Sequence, residues 1–181
     1  QDELSHQLTQ LKNLTQAILK EAVQGKLVKQ DPKDEPASEL LGRIKAEKAK
    51  SGKKEKPLPP IKPSDIPFDI PSTWVWCRLG EVVNVKSSKR IFASDYVLSG
   101  IPFFRSKEIG ILGSGDEPSD LLYISNEKYE EIKLNFGIPK YGDILLTCVG
   151  TIGNTWIVDN REFYYKDGNL VLLESLNEID T

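Results

Sequence analysis

The chain has 181 residues, 39% hydrophobic and 28% charged, enough for one domain with an appendage and ordinary for a water-facing protein. No run approaches the roughly 20 apolar residues a membrane span needs, no secretory signal is visible, and one histidine with two cysteines argues against a zinc site. The net charge of −3 conceals an asymmetry: residues 20–62 carry twelve Lys/Arg against seven Asp/Glu, residues 63–107 six against four, and residues 108–181 five against fourteen. A non-specific polyanion binder is basic throughout, so any nucleic-acid contact here must be a local patch.

The first segment predicts a helix over residues 4–25. Leu4, Leu8, Leu11, Thr15, Ile18, Ala22 and Gly25 recur at alternating steps of four and three, the heptad seam of a helix lying against another helix. Packing on its own domain is the alternative. Leu4, Leu8, Leu11 and Ile18 are the expected partner-helix contacts, and Gly25 and Pro32 bracket the end. A second short helix follows Asp34 and Glu35, either of which can cap it, with Pro36 in the first turn. Leu40, Leu41 and Ile44 give it one apolar face, and Lys45, Lys48, Lys50, Lys53, Lys54 and Lys56 form a basic tail that reads first as a solvated surface.

Six prolines between Pro57 and Pro71 predict an extended, stiff spacer. Trp74 and Trp76 then share one face if the chain is a strand there, and they are read as the start of a packed core. A surface hairpin with an interaction patch is the alternative. Beyond Trp74, short apolar runs alternate with turn residues, predicting strands near 74–79, 81–86, 101–105, 120–124, 143–149, 155–159, 162–166 and 169–174. One helix is predicted near 126–135, capped by Ser125. The fold class is α+β: a β-rich domain over residues 72–181, preceded by a helical arm over 1–56 and a linker over 57–71. Cys77 and Cys148 fall in strand-like runs and read as buried free thiols rather than a disulfide, which suits a reducing cytoplasm. The absence of methionine and the start at Gln1 suggest a fragment.

Two stretches are candidates for chemistry. Lys86, Ser87, Lys89 and Arg90 form a basic loop between apolar runs, and Arg105, Ser106 and Lys107 follow the run Ile101-Pro-Phe-Phe104. Arginine forks match guanine O6/N7 and Ser or Lys can anchor phosphates. An exposed loop that is merely solvated is the plain alternative. Gly150-Thr-Ile-Gly153 could bring a backbone, with Thr151, close to a phosphate, although a hairpin turn explains it as well. No Walker loop, dinucleotide fingerprint, nucleophile–base set or adenine-methyltransferase motif is present.

The motif order resembles the DNA-specificity subunit of type I restriction–modification systems. Leu14-Thr-Gln-Ala-Ile-Leu-Lys-Glu-Ala-Val-Gln-Gly-Lys-Leu27 is similar to the end of that family's conserved helix, with Asp34-Glu-Pro-Ala-Ser-Glu-Leu-Leu41 and Lys56-Pro-Leu-Pro-Pro60 as its continuation. Ile70-Pro-Ser-Thr-Trp-Val-Trp-Cys-Arg-Leu-Gly80 resembles the opening of a target recognition domain. Gly100-Ile-Pro-Phe-Phe-Arg-Ser-Lys-Glu-Ile109, Pro139-Lys-Tyr-Gly-Asp-Ile-Leu-Leu146 and Gly150-Thr-Ile-Gly153 resemble later landmarks of that domain. The resemblance implies one recognition domain, incomplete at its C-terminus, that reads one half of a bipartite target in double-stranded DNA and has no catalytic activity of its own. Methylation and restriction subunits would be the partners, and S-adenosylmethionine, ATP and Mg would sit on them rather than on this chain. The lone arm would expose its seam or pair with a second copy. The competing reading is a structural adaptor that docks partners through the heptad helix, with the β domain binding protein.

Overall fold

A computed structural model describes residues 2–50 and 58–174. The expected motif at Lys56–Pro57, the lysines Lys53 and Lys54, and the C-terminal limit of the recognition domain lie outside the described residues. Two compact units divide at Val82–Val83.

The first unit opens with α1 (Asp2–Val23), close to the predicted helix. It ends where Gly25 turns to φ +67°, its N–H donating to the Ala22 carbonyl (2.9 Å). A side chain on Gly25 would meet Pro71 Cγ at 2.6 Å, so conformation and close approach both require glycine there. Leu4, Leu8, Leu11 and Ile18 are all exposed, Leu4 at 63% and Ile18 at 43%. The helix α2 (Ala37–Lys50) buries Ile44, and a short helix α3 (Leu79–Val82) packs against it. Lys45 pairs with Glu81 (2.7 Å) and Lys48 donates to the Gly80 carbonyl (2.5 Å).

Two expectations are corrected in this unit. Residues 74–78 form no strand, and α3 replaces the start of the predicted 81–86 strand. The two tryptophans face different partners: Trp74 Nε1 donates to Gln30 Oε1 (2.9 Å), while Trp76 stacks edge-on against Phe68 (5.2 Å). The backbone between Pro71 and α3 is bonded outside any sheet, the Pro71 carbonyl accepting from Trp74 N (3.0 Å) and the Thr73 carbonyl from Ala37 N at the start of α2 (2.9 Å). The tryptophans therefore complete the helical unit rather than begin the β core. The proline stretch also differs from a free spacer. Arg78 donates to the carbonyls of Pro59 and Pro60 and to Asp65 Oδ2 (2.6 Å), holding residues 59–65 in the same unit.

The second unit carries two four-stranded sheets. In the first, the order is β1 (Asn84–Lys86), β8 (Leu170–Glu174), β5 (Ile144–Thr147), β6 (Thr155–Ile157), all antiparallel. In the second, the order is β2 (Tyr96–Val97), β4 (Leu122–Ile124), β3 (Ile101–Phe104), β7 (Tyr164–Tyr165), with β3 and β7 parallel and the other pairs antiparallel. Two helices complete it. The helix α5 (Asn126–Asn135) is capped by Ser125 Oγ accepting from Lys128 N (3.2 Å), as the sequence predicts. The helix α4 (Ser106–Gly113) was not predicted; it packs on β6, β5 and β3. A Cβ on Gly113 would lie 2.3 Å from the Thr155 carbonyl oxygen, so α4 meets β6 backbone to backbone.

The core collects Phe103, Phe104, Ile109, Ile124, Leu145 and Tyr164 with their buried neighbours. Phe104, Phe163 and Trp156 form an aromatic cluster with centroids 4.8–5.9 Å apart. The α+β class stands. Cys77 and Cys148 are free, as expected, but both are half-buried rather than buried and both lie outside any strand; burial pushes the Cys77 thiol up.

Candidate nucleic-acid interface

The predicted residues of the second unit fall around two hollows. Lys86 and Ser87 line a hollow of about 300 Å³ with Lys133, Phe136, Lys140 and Glu174. Lys86 ends β1 opposite Leu172 of β8, and its ammonium pairs with Glu174, two residues further along that strand. Lys89 joins this rim: its ammonium lies 5.1 Å from the Phe136 ring centroid. Lys133 and Lys140 were not among the expected contact residues. They come from the end of α5 and the turn before β5, and only the fold puts them beside β1.

Ser106, Lys107 and Thr151 line a second, more open hollow of about 570 Å³ with Gly110, Asn154 and Asn169. Ser106 and Lys107 are the first residues of α4, and Thr151 belongs to the turn joining β5 to β6. That turn is fixed from beneath by Thr147, which is wholly buried. Its hydroxyl donates to the Thr151 carbonyl (2.5 Å) and accepts from Asn154 N (2.9 Å). Gly150 and Gly153, at φ +81° and +94°, make the reversal possible.

The segment 164–169 links the two groups. Tyr164 Oη accepts from Lys89 N (2.7 Å), the Phe104 carbonyl from Lys166 N (2.9 Å), and Asp167 from Arg90 Nε (2.8 Å). Asn169, the last residue before β8, then reaches the second hollow.

The two arginines do not stand as free forks. Arg90 is 66% exposed and paired with Asp167, a surface contact that solvent weakens. Arg105 has a structural task. Glu108 is completely buried and takes Arg105 N (2.7 Å), Nε (3.1 Å) and Nη2 (2.6 Å). The carboxylate holds the Arg105 guanidinium above its usual range. One edge of the Arg105 guanidinium, Nε with Nη2, is therefore committed to Glu108 at the entrance of α4 and is not free to meet a base. Lys107 is exposed with a long contact to Asp120 (3.4 Å), leaving its ammonium available to a phosphate.

Charge is not uniform around this unit. On another side, Glu117, Asp159 and Glu162 border a hollow with Arg161, which grips Glu117 through two contacts of 2.9 Å. Arg161 holds the Glu117 and Asp159 carboxyls below the usual carboxylate range. Phosphates are disfavoured there and favoured beside the lysines. Among the described residues, no group of three or more His, Cys, Asp or Glu is placed to hold a metal ion, and no helix is long and apolar enough to cross a membrane.

The sequence is 40% identical over 149 residues to the type I restriction enzyme EcoAI specificity subunit of Escherichia coli, a match spanning 78% of this chain. It is 56% identical over 75 residues, 39% of the chain, to the EcoEI specificity subunit of the same organism. This chain matches part of a type I specificity subunit. A third relative, the putative specificity subunit S.HindORF215P of Haemophilus influenzae, is 40% identical over 99 residues, or 54% of the chain. The chain spans 24%, 13% and 24% of these three specificity subunits in turn. The crystal structure of an HsdS subunit from Thermoanaerobacter tengcongensis aligns with 99% of this chain and 36% of its own, at 19% identity and a TM-score of 0.44. No protein-family model matches the chain.

Proposed function

We propose that this chain is a non-catalytic, sequence-reading part of a type I restriction–modification complex, its second unit reading one half of a bipartite duplex target. The observation that carries this is the 40% identity to the EcoAI specificity subunit over 78% of the chain, a match too long to be confined to one unit. The geometry agrees with it. The lysines around the first hollow are suited to phosphate contacts, and the second, polar hollow offers hydrogen-bonding groups suited to base edges. Catalysis belongs on partner subunits, where S-adenosylmethionine, ATP and Mg would bind. The exposed heptad face of α1 is suited to pairing with another helix, either within a longer specificity subunit or from a second copy.

Binding of the 181-residue chain to mixed-sequence duplex at low salt tests this reading, compared with a variant carrying Lys86→Ala, Lys89→Ala and Lys107→Ala. Each lost phosphate contact should flatten the dependence of log affinity on log salt by about one. If the parent chain fails to retain duplex at low salt, the DNA reading fails and the adaptor reading gains. If the triple variant binds as the parent does, the contact surface lies elsewhere.

A further inference from the structure

We propose that Asn154 and Asn169 are the base-reading side chains of the second unit, selecting adenine through their amides; this rests on the duplex reading above. Both line the hollow bordered by Ser106, Lys107 and Thr151. Both have fixed backbones at the end of β5. Asn154 and Thr147 exchange backbone and hydroxyl bonds at 2.9 Å, and the Asn169 carbonyl accepts from Cys148 N (2.9 Å). Their side chains are half-buried, yet neither amide makes a hydrogen bond among the described residues. Amides on a rigid frame whose donors and acceptors face solvent rather than the protein are free to meet a ligand's hydrogen-bonding edge.

The other candidates for base reading are engaged. Arg105 is held by buried Glu108 and Arg90 by Asp167. An asparagine amide matches the N6/N7 edge of adenine, donating to one atom and accepting from the other. Ile152 sits on the same turn, 76% exposed, as an apolar group for a thymine methyl. Lys107 at the rim supplies the phosphate contact that sets register. Gly110 of α4 bears on the aim of one amide, since a Cβ there would come within 2.8 Å of Asn154 Nδ2.

The test is selection of bound sequences from a randomised duplex pool by the 181-residue chain and its variants at low salt. Asn154→Ala and Asn169→Ala should each erase an adenine preference at one position, a loss of roughly five- to 150-fold in discrimination, the span for one bidentate pair. The salt slope and mixed-sequence affinity should stay as in the parent. Asn154→Asp should shift the same position from adenine towards cytosine, whose N4 donates to a carboxylate. Gly110→Ala, which leaves every hydrogen bond of the turn intact, should weaken the position lost in Asn154→Ala. Parent-like preferences in both alanine variants would overturn the assignment, as would a parent that binds duplex with no preference at all. A parent that binds no duplex would instead remove the DNA reading itself.

Discussion

Arg105→Ala separates a structural role from a reading role. Glu108 has no solvent exposure, and two of its three contacts come from the Arg105 guanidinium, at 3.1 and 2.6 Å. Of these three contacts, truncation leaves the carboxylate only the main-chain N–H at position 105. Breaking a buried pair from one side costs about 3–5 kcal/mol, a large part of the 5–15 kcal/mol that holds a typical domain together. For a unit of this size each kcal/mol moves the midpoint about 4–8 °C, so a fall of roughly 12–40 °C is expected. Trp156, 8% exposed and stacked with Phe104 and Phe163, reports on the core. Replacing Trp74 and Trp76 with Phe leaves it as the sole fluorophore of its kind. Adding Glu108→Gln should restore much of the loss, because a neutral amide tolerates burial and still accepts from Arg105 N. A midpoint within two or three degrees (~3 °C) of the parent, with DNA selectivity alone reduced, would refute the reasoning and return Arg105 to the reading surface.

Three further outcomes follow from named contacts. Gly113→Ala should destabilise the second unit by about 1–3 kcal/mol in denaturant unfolding, because its Cβ meets the Thr155 carbonyl at 2.3 Å; Gly110→Ala meets only the movable end of Asn154 and should leave the unfolding free energy unchanged or raise it by up to about 1 kcal/mol. Thr147→Val removes the hydroxyl that serves both Thr151 O and Asn154 N, and should cost about 1–3 kcal/mol while speeding amide exchange at Asn154. Leu8→Glu with Leu11→Glu, both at exposed positions, should leave unfolding of either unit unchanged and abolish any concentration-dependent mass in sedimentation.

How far the sequence could be read depended on whether a feature was local. The heptad spacing of α1 and the Ser125 cap of α5 are written into neighbouring residues, and both helices lie where they were expected. Most strands of the second unit were also legible as short apolar runs between turns. Trp74 and Trp76 misled, because a spacing of two residues fits an irregular chain as well as a strand when hydrogen bonds lie elsewhere. The helix α4 was missed since Ser106–Gly113 is short and has two glycines. Its sequence signal was Glu108, three residues after the helix entrance, reaching back to Arg105 N. That same pair shows the deeper limit: the Arg–Glu spacing is visible in sequence, but the burial of Glu108 is a product of tertiary packing. Asn154 and Asn169 likewise carry no signal alone; β6 and β8, paired on either side of β5, bring them together.

The central claim is that residues 83–174 choose the DNA sequence. The most direct measurement transplants them into the matching segment of the EcoAI specificity subunit and maps methylated sites made by the assembled complex. The account predicts a new target in which one half-site has changed and the other is retained. A target identical to that of the unmodified EcoAI complex, from an assembled and active chimera, would contradict it.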